Sequence, residues 1–469
     1  MGSIYPSTFN VKRIAIIGAG PCGLAAAKYL RAQGTYDRIV VFEQQAEVGG
    51  VWNYDTVVPA PNPIPQTSPF FPPDEPARVP HEKFPVFPSP MYSKLHANIP
   101  KSLMMFSDLE FPQESWIYPS RHDIQHYLVR YAQDVRDLIK FYFQVKRVLL
   151  QPENGQDKWQ VTAQSTVDGQ VVQEVFDAVV VANGHYSTPF VPDIKNIRDF
   201  HQAHPSIIIH SKNYHSVDTF RDKKTVIVGN GPSGLDIAYQ INSVSKGQTI
   251  LSVRHETPPG KLQHTGCREI AEIDEFLVDE KGVRLKDGRV ETDIDAIIFC
   301  TGFRYSLPFL NNLEKDLITN GSSIHGLYKH IFCIQHPTIV FSALNMRIVP
   351  FPVSEAQAAV FSAIWSNHLP LPPKPEMLRW NKEAEKAGDR LHIMPDGQDG
   401  VYLNELHDYA MTASKLGKEP PRWGREQFWI RSIFLEAKRA FEDQGCRATT
   451  LEELGFKFTP ERDEASAKP

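Results

Sequence analysis

Residues 13–24 read RIAIIGAGPCGL, a short apolar run that breaks into Gly-x-Gly-x-x-Gly and then into an alanine-rich stretch. The order of strand, glycine loop and helix leaves few folds open to a chain. Gly18 permits a tight turn out of the strand, Gly20 lets an anion approach a backbone with no Cβ, and Gly23 lets the helix lie close on its strand. The first turn of that helix offers unpaired N–H groups and a partial positive charge, which suits a pyrophosphate. Residues 38–42 (RIVVF) read as a second buried strand ending at Glu43, twenty positions after Gly23 and followed by Gln44. An acidic side chain there binds both hydroxyls of a ribose. The expectation is an adenine dinucleotide held by Gly18, Gly20, Gly23, Glu43 and Gln44.

The same grammar recurs at residues 225–234 (TVIVGNGPSG), with Gly229, Gly231, Ser233 and Gly234 in the loop. Its second strand, 249–253 (TILSV), ends at Arg254, where the first copy has Glu43. A carboxylate would repel a ribose 2′-phosphate, whereas a guanidinium makes charge-assisted hydrogen bonds to it, worth about 1.5–3 kcal/mol. The second nucleotide is therefore expected to be NADP(H), and the first FAD. Two more apolar runs end in glycine, 177–184 (DAVVVANG) and 295–302 (DAIIFCTG), one for each copy. The expected fold is α/β with two Rossmann-like dinucleotide-binding domains. An FAD domain made of residues 1–206 and 326–469 would carry the NADP domain, 207–325, as an insertion.

The 469 residues suffice for two or three cores, and a net charge of −5 does not favour a nucleic-acid partner. The five cysteines are scattered, without CxxC or metal-ligand spacing, which argues against a disulfide framework and a metal site. Residues 1–10 lack the pattern of a secretory leader and no apolar run is long enough to span a bilayer, so a cytoplasmic protein without a membrane partner is expected. Twelve prolines between 53 and 90 exclude helix and central strand there. That stretch reads as an extended excursion wrapping another part of the protein, and it leaves a homodimer contact open. Helical patterns cover 120–132, 354–367 with Ser354 as N-cap, 376–390 and 424–444.

A flavin site and a nicotinamide site in one chain imply electron transfer from NADPH to FAD, and without a redox CxxC the electrons pass to oxygen, a quinone or another carrier. Residues 12–369 resemble the flavin-containing monooxygenases, in particular the anchor-free branch of fungal and yeast type. The resemblance rests on both glycine loops, on 47–52 (EVGGVW), on 95–100 (LHANIP) and on the His-x-x-x-Tyr pattern of His210 and Tyr214. The family's preceding Phe-x-Gly departs, since Gln202 stands where glycine is expected after Phe200. The resemblance implies that Asn98 lies beside the reactive flavin edge and supports the oxygenated intermediate. It also implies that Gly50 and Trp52 contact the flavin and that Gln357 touches its edge, while His210 and Tyr214 link domains. The implied activity is like that of N,N-dimethylaniline monooxygenase: oxygenation of an amine nitrogen or sulfur of a small molecule, with O2, through a C4a-hydroperoxyflavin. Baeyer–Villiger oxygenation stays open but is disfavoured by Tyr214, where those enzymes usually carry Trp. A non-oxygenating NADPH–flavin oxidoreductase and a nucleotide-binding regulatory protein are the remaining alternatives.

Overall fold

The computed structural model describes residues 8–54, 63–79 and 83–460. The expectations for the extreme N-terminus, for the tail from 461 and for 55–62 and 80–82 of the proline-rich stretch lie outside the described residues.

Strand Arg13–Ile17 is apolar after its first residue because both of its faces are covered. Ile14 and Ile16 enter one core, which also holds Leu24, Ala27 and Leu30 of helix Pro21–Gln33. Ala15 and Ile17 enter another, shared with Val148, Trp159 and Val161 of an antiparallel three-stranded sheet. Arg38–Phe42 and Ala178–Val181 flank the strand in parallel. The whole seven-stranded sheet runs Leu327–Tyr328, Phe332–Cys333, Ile339–Phe341, Ala178–Val181, Arg13–Ile17, Arg38–Phe42, Ile139–Lys140. Its strands thus come from both sides of a second, five-stranded sheet. That sheet is parallel throughout and runs Arg268–Ala271, Ile250–Val253, Thr225–Val228, Ala296–Phe299, Ile208–His210. The fold is α/β, with one dinucleotide-binding unit inserted into another.

Core membership draws the borders between the units. Val191, Ile197 and Phe200, upstream of residue 207, pack into the core of the five-stranded sheet. Tyr305, Leu307, Phe309, Leu317 and Ile324, upstream of 326, pack into a core of the seven-stranded sheet. The chain crosses from unit to unit at Thr188–Pro189 and Phe303–Arg304, which pair antiparallel.

Helix Arg121–Tyr131 begins at a reciprocal cap: Asp123 N donates to Ser120 Oγ at 3.3 Å, and Ser120 N donates to the Asp123 carboxylate at 3.1 Å. Ser354, by contrast, does not cap its helix, which spans Pro350–Trp365. Ser354 lies inside it and donates to Phe351 O at 2.7 Å. Pro350 and Pro352 fall in the first turn, where N–H groups have no intrahelical partner, so their missing donors cost nothing. The helix is buried on nearly every side, packed against Pro21–Gln33 and Gln398–Ala410. The latter helix carries no clear sequence signal because Gly400 interrupts it; a Cβ there would stand 2.4 Å from the Trp423 ring. The 376–390 pattern resolves into α-helix Lys374–Ala384 and a 3-10 stretch Glu385–Arg390, and the last long helix is Arg425–Asp443.

The described part of the proline-rich stretch lies extended on its own chain, with main-chain bridges from Gln66 to Val191 and from Ala77 to Val86. His210 ends the edge strand of the second sheet, and Tyr214 follows it. Tyr214 OH donates to Gln240 at 3.2 Å, and its ring meets Tyr92 edge-on. His210 Nε2 lies 2.9 Å from Gly302 O, while Nδ1 accepts from Lys212 N at 3.1 Å. A carbonyl on one side and an N–H on the other require the neutral ring with its proton on Nε2. Burial accordingly pushes His210 down from 6.5 to about 3.

Folded His210 therefore stays neutral where the unfolded chain takes up a proton. Its share of stability is full above pH 6.5 and falls by about 1.4 kcal/mol per pH unit as pH drops below that value. Replacing it in H210Q should lessen the slope of unfolding free energy against pH between about 6 and 4.5 by close to one proton, measured by urea titrations across that range.

Candidate functional site

Helices Pro21–Gln33 and Pro232–Asn242 begin alike. Each has a glycine N-cap, Gly20 or Gly231, proline at the first helical position, and no side chain capping the first turn. The next N–H groups are thus left for an anion. A Cβ on Gly23 would stand 1.9 Å from Gly18 O, and one on Gly234 2.1 Å from Gly229 O. Gly18 and Gly229 adopt φ of +98° and +106°, a region that L side chains rarely enter. Gly20 meets nothing nearer than Gly50 Cα at 3.6 Å, and a Cβ on Gly231 would meet nothing within 4 Å.

Both loops open onto one cleft of about 2400 Å³. That is more than twice the upper end of the range usual for a pocket holding a drug-sized molecule. Gly18, Gly20, Glu43, Gln44, Gly50 and Trp52 line it, as do Gly231 and Ser233 of the second loop. Gly23, Gly229 and Gly234 do not, since their task is packing between strand and helix. Glu43 is buried, its carboxylate accepting from Ala19 N at 2.8 Å and Gln45 N at 2.9 Å. Desolvation raises its pKa against the lowering effect of main-chain hydrogen bonds from Ala19, Gln45 and Gln44. The turn at Gly49 and Gly50 is left-handed and lies against Gly20; a Cβ on Gly50 would stand 3.1 Å from Gly20 Cα.

Asn98 is exposed on the cleft wall. Its segment is pinned on either side: Ala97 N donates to Pro119 O at 2.8 Å, and Lys101 N to Ile117 O at 2.7 Å. Arg254 stands just past Ile250–Val253, its side chain 72% exposed and ion-paired with Glu272 at 3.2 Å. It lies off the cleft lining, so a 2′-phosphate would have to compete with Glu272 for it. Gln357 does not reach the cleft. Sitting on the buried helix Pro350–Trp365, it accepts from Ala343 N at 2.7 Å and donates to Tyr402 OH at 3.0 Å and Asn345 Oδ1 at 3.4 Å. Contact with a flavin edge is thus replaced by support of the loop 342–347.

That loop and its neighbours carry cleft residues the sequence motifs did not mark. Ser306 Oγ, Ser342 Oγ, Asn345 Nδ2 and His185 Nε2 are buried, have no hydrogen-bond partner among the described residues, and belong to side chains lining the cleft. Such unpaired atoms fit a polar ligand. Burial lowers His185 from 6.5 to about 4, so it is neutral near pH 7. Ser342 and Asn345 follow the carboxyl end of Ile339–Phe341, and that position at the end of a parallel strand was their one available signal. Opposite, the helix Arg425–Asp443 contributes Phe428, Phe434, Lys438 and Glu442. Arg431 moors it, with Nε 3.0–3.1 Å from both Asp399 carboxylate oxygens and Nη2 donating to Arg347 O at 3.0 Å. Removing one partner of such a buried pair costs about 3–5 kcal/mol. No cluster of metal-ligating side chains occurs among the described residues.

A family model described as flavin-binding monooxygenase-like matches residues 88–258 and 268–415, and one for an NAD(P)-binding Rossmann-like domain matches 16–66. The chain is 32% identical over 460 residues to an Arabidopsis thaliana protein, flavin-containing monooxygenase FMO GS-OX-like 2, covering 92% of this chain and 90% of that one. It is 30% identical over 411 residues to the thiol-specific monooxygenase of Saccharomyces cerevisiae, covering 85% of each. The solved structure of S-allyl-L-cysteine S-oxygenase from Allium sativum superimposes with a TM-score of 0.76 at 25% identity, over 96% of this chain and 98% of that one. Matched by the family model over more than half its length, with both glycine loops opening onto a single cleft, the chain belongs to the flavin-binding monooxygenase-like family, whose cofactors are FAD and NADPH.

Proposed function

We propose that the protein uses NADPH, FAD and O2 to oxygenate a soft nucleophile of a small molecule, sulfur first and amine nitrogen second. The observation that carries this reading is the single cleft onto which the first loop, the second loop and Asn98 all open. When bound, FAD takes electrons from NADPH and activates O2.

The protein's share is binding, orientation and exclusion of water. The first loop and Glu43 hold the pyrophosphate and ribose of FAD, with Gln44 beyond them and Gly50 and Trp52 against the flavin half. The second loop and Ser233 hold the pyrophosphate of NADPH, and Arg254 exchanges Glu272 for its 2′-phosphate. Asn98 donates from Nδ2 to the oxygen atom being transferred, a contact comparable to an oxyanion-hole donor. The orphaned groups of Ser306, Ser342 and Asn345 add polar contacts along the same wall. Trp423, Phe428 and Phe434 supply an apolar side that keeps water from the transferred oxygen.

Two further observations support sulfur or nitrogen oxygenation over thiol redox chemistry. Burial raises the thiols of Cys22 and Cys300, both on the cleft, to about 12, so neither is a thiolate at neutral pH. The yeast and garlic relatives are named for a thiol-specific and an S-oxygenating activity, which favours sulfur. All five cysteines are free, which suits a cytoplasmic site of action. None of the described helices is long and apolar enough to cross a membrane.

The deciding experiment reduces the holoenzyme with NADPH under anaerobic conditions and mixes it with oxygenated buffer in a stopped-flow spectrometer. A lasting single near-ultraviolet band in place of the two-band oxidised flavin spectrum is expected. One labelled oxygen atom per sulfoxide or N-oxide should follow when a thioether or tertiary amine is added under 18O2. Immediate return to oxidised flavin with stoichiometric hydrogen peroxide would overturn the reading. In N98A, FAD and NADPH affinity should persist while product per NADPH falls about 10²-fold and peroxide rises correspondingly. In R254A, the KM for NADPH should rise about ten- to a hundred-fold with the KM for NADH unchanged, since only the contact to the 2′-phosphate is lost.

A further inference from the structure

Along the first dinucleotide site the pyrophosphate belongs at the glycine loop and the ribose at Glu43, so the base lies one step farther out. Among the side chains met there are Gln44 and Gln144, both on the cleft. Gln144 belongs to strand Phe143–Leu150 and is only 6% exposed. Its Nε2 donates to Gln44 Oε1 at 3.1 Å and to the main-chain carbonyl of Asp74 at 3.2 Å. A main-chain carbonyl can only accept, which fixes which end of the amide faces Asp74. The other end, Oε1, is buried and has no partner among the described residues. A buried carbonyl oxygen without a donor is costly to leave so.

Asp74 comes from the proline-rich stretch, and it is anchored. Both of its carboxylate oxygens lie 2.8 Å from Lys212 Nζ, which also donates to Ser187 O at 2.6 Å. The Lys212 side chain is 2% exposed and sits in the segment that follows edge strand Ile208–His210 of the inserted unit. Beyond Asp74 the stretch is held by the Ala77–Val86 bridge and by the Phe84 ring on Tyr142, 4.7 Å between centroids. The strap is thus clamped at a buried charge, and its carbonyl in turn orients Gln144.

We propose that Gln144 reads the base of the first dinucleotide: its unpaired Oε1 accepts from the exocyclic amino group of adenine, and Asp74, locked by Lys212, is the positioning residue that sets it. The proposal rests on the reading that the first site takes FAD. An amino group is the donor that adenine offers and hypoxanthine lacks, because hypoxanthine carries an oxygen acceptor at that position. Gln144 is then a determinant of nucleotide identity, and the strap has a binding role beyond covering the chain.

The test is a competition on the holoenzyme. The protein is equilibrated with an excess of FAD and its hypoxanthine analogue in equal amounts, and the flavins retained after gel filtration are quantified by chromatography. The native protein should favour FAD about ten-fold. Gln144→Leu should bring the ratio near one by weakening FAD alone, and Asp74→Asn should lower it part of the way. A native ratio near one, measured without any variant, or an unchanged ratio in Gln144→Leu, would overturn the role of Gln144. An unchanged ratio in Asp74→Asn would overturn the role of the strap. Retention of neither flavin by the native protein would instead overturn the FAD assignment beneath the proposal, which separates the two failures.

Discussion

The approach of Gly23 to the Gly18 carbonyl, where a Cβ would stand at 1.9 Å, governs how close the first helix lies to its strand, and Gly234 repeats it against Gly229 at 2.1 Å. Each loop is wedged on its other side too: a Cβ on Gly18 would stand 2.7 Å from Ala182 O, and one on Gly229 2.9 Å from Cys300 O. Both neighbours lie just past the carboxyl end of the next parallel strand, so helix start, loop and strand end form one packed unit. With the helix start held there and no side chain capping it, the free N–H groups face outward to the cleft. Every proposed role of Glu43, Ser233 and Asn98 presupposes this packing, because it decides where a dinucleotide can lie.

An inserted unit creates a second requirement, since two sheets facing one cleft must keep their mutual orientation. The joints are buried polar groups. His210 is held neutral between a carbonyl and an N–H, and Lys212 is closed off by a carboxylate and a carbonyl. Such groups are tolerated only when fully paired, and breaking one pair strands the other partner. The crossing strands Thr188–Pro189 and Phe303–Arg304 add a short ladder at the same place. The proline-rich strap belongs to this joint. With no helix or sheet strand among its described residues, it gains its position from Gln66, Asp74 and the Ala77–Val86 bridge.

The far wall of the cleft is built by a different principle. The helix Pro350–Trp365 is buried almost completely, and its Glu355 and Gln357 side chains serve neighbouring loops. Glu355 is its one charged residue; it accepts from Ser107 N at 2.9 Å and pairs with Lys418 at 3.2 Å, and desolvation still raises its pKa. Gln357 holds the loop that brings Ser342 and Asn345 to the cleft. The outer helix Arg425–Asp443, moored by Arg431 to Asp399, closes the opposite side. The two glycine loops thus reach the cleft at strand ends, whereas much of its far wall comes from helices and loops after residue 341.

The two strand–glycine–helix units, the identities of Glu43 and Arg254 at equivalent strand ends, and the inserted order of the domains were legible in the sequence. Each depends on a local rule: steric freedom of glycine, alternation of apolar residues, charge at a strand terminus. The helix start at Pro350 was hidden because proline reads as a breaker although it is harmless in a first turn. Helix Gln398–Ala410 was hidden because Gly400 is demanded by the Trp423 ring and not by its own backbone. Gln357 could be placed on a helix but not behind a loop, and Gln144, Asp74 and Lys212 carry no motif at all. By itself the sequence determined where glycine loops join strand to helix and which strands are buried on both faces, because those effects act over a few residues. Only the tertiary structure decided which polar atoms are left unpaired on the cleft and which buried charges lock the strap, because those depend on partners as far as 138 residues away along the chain.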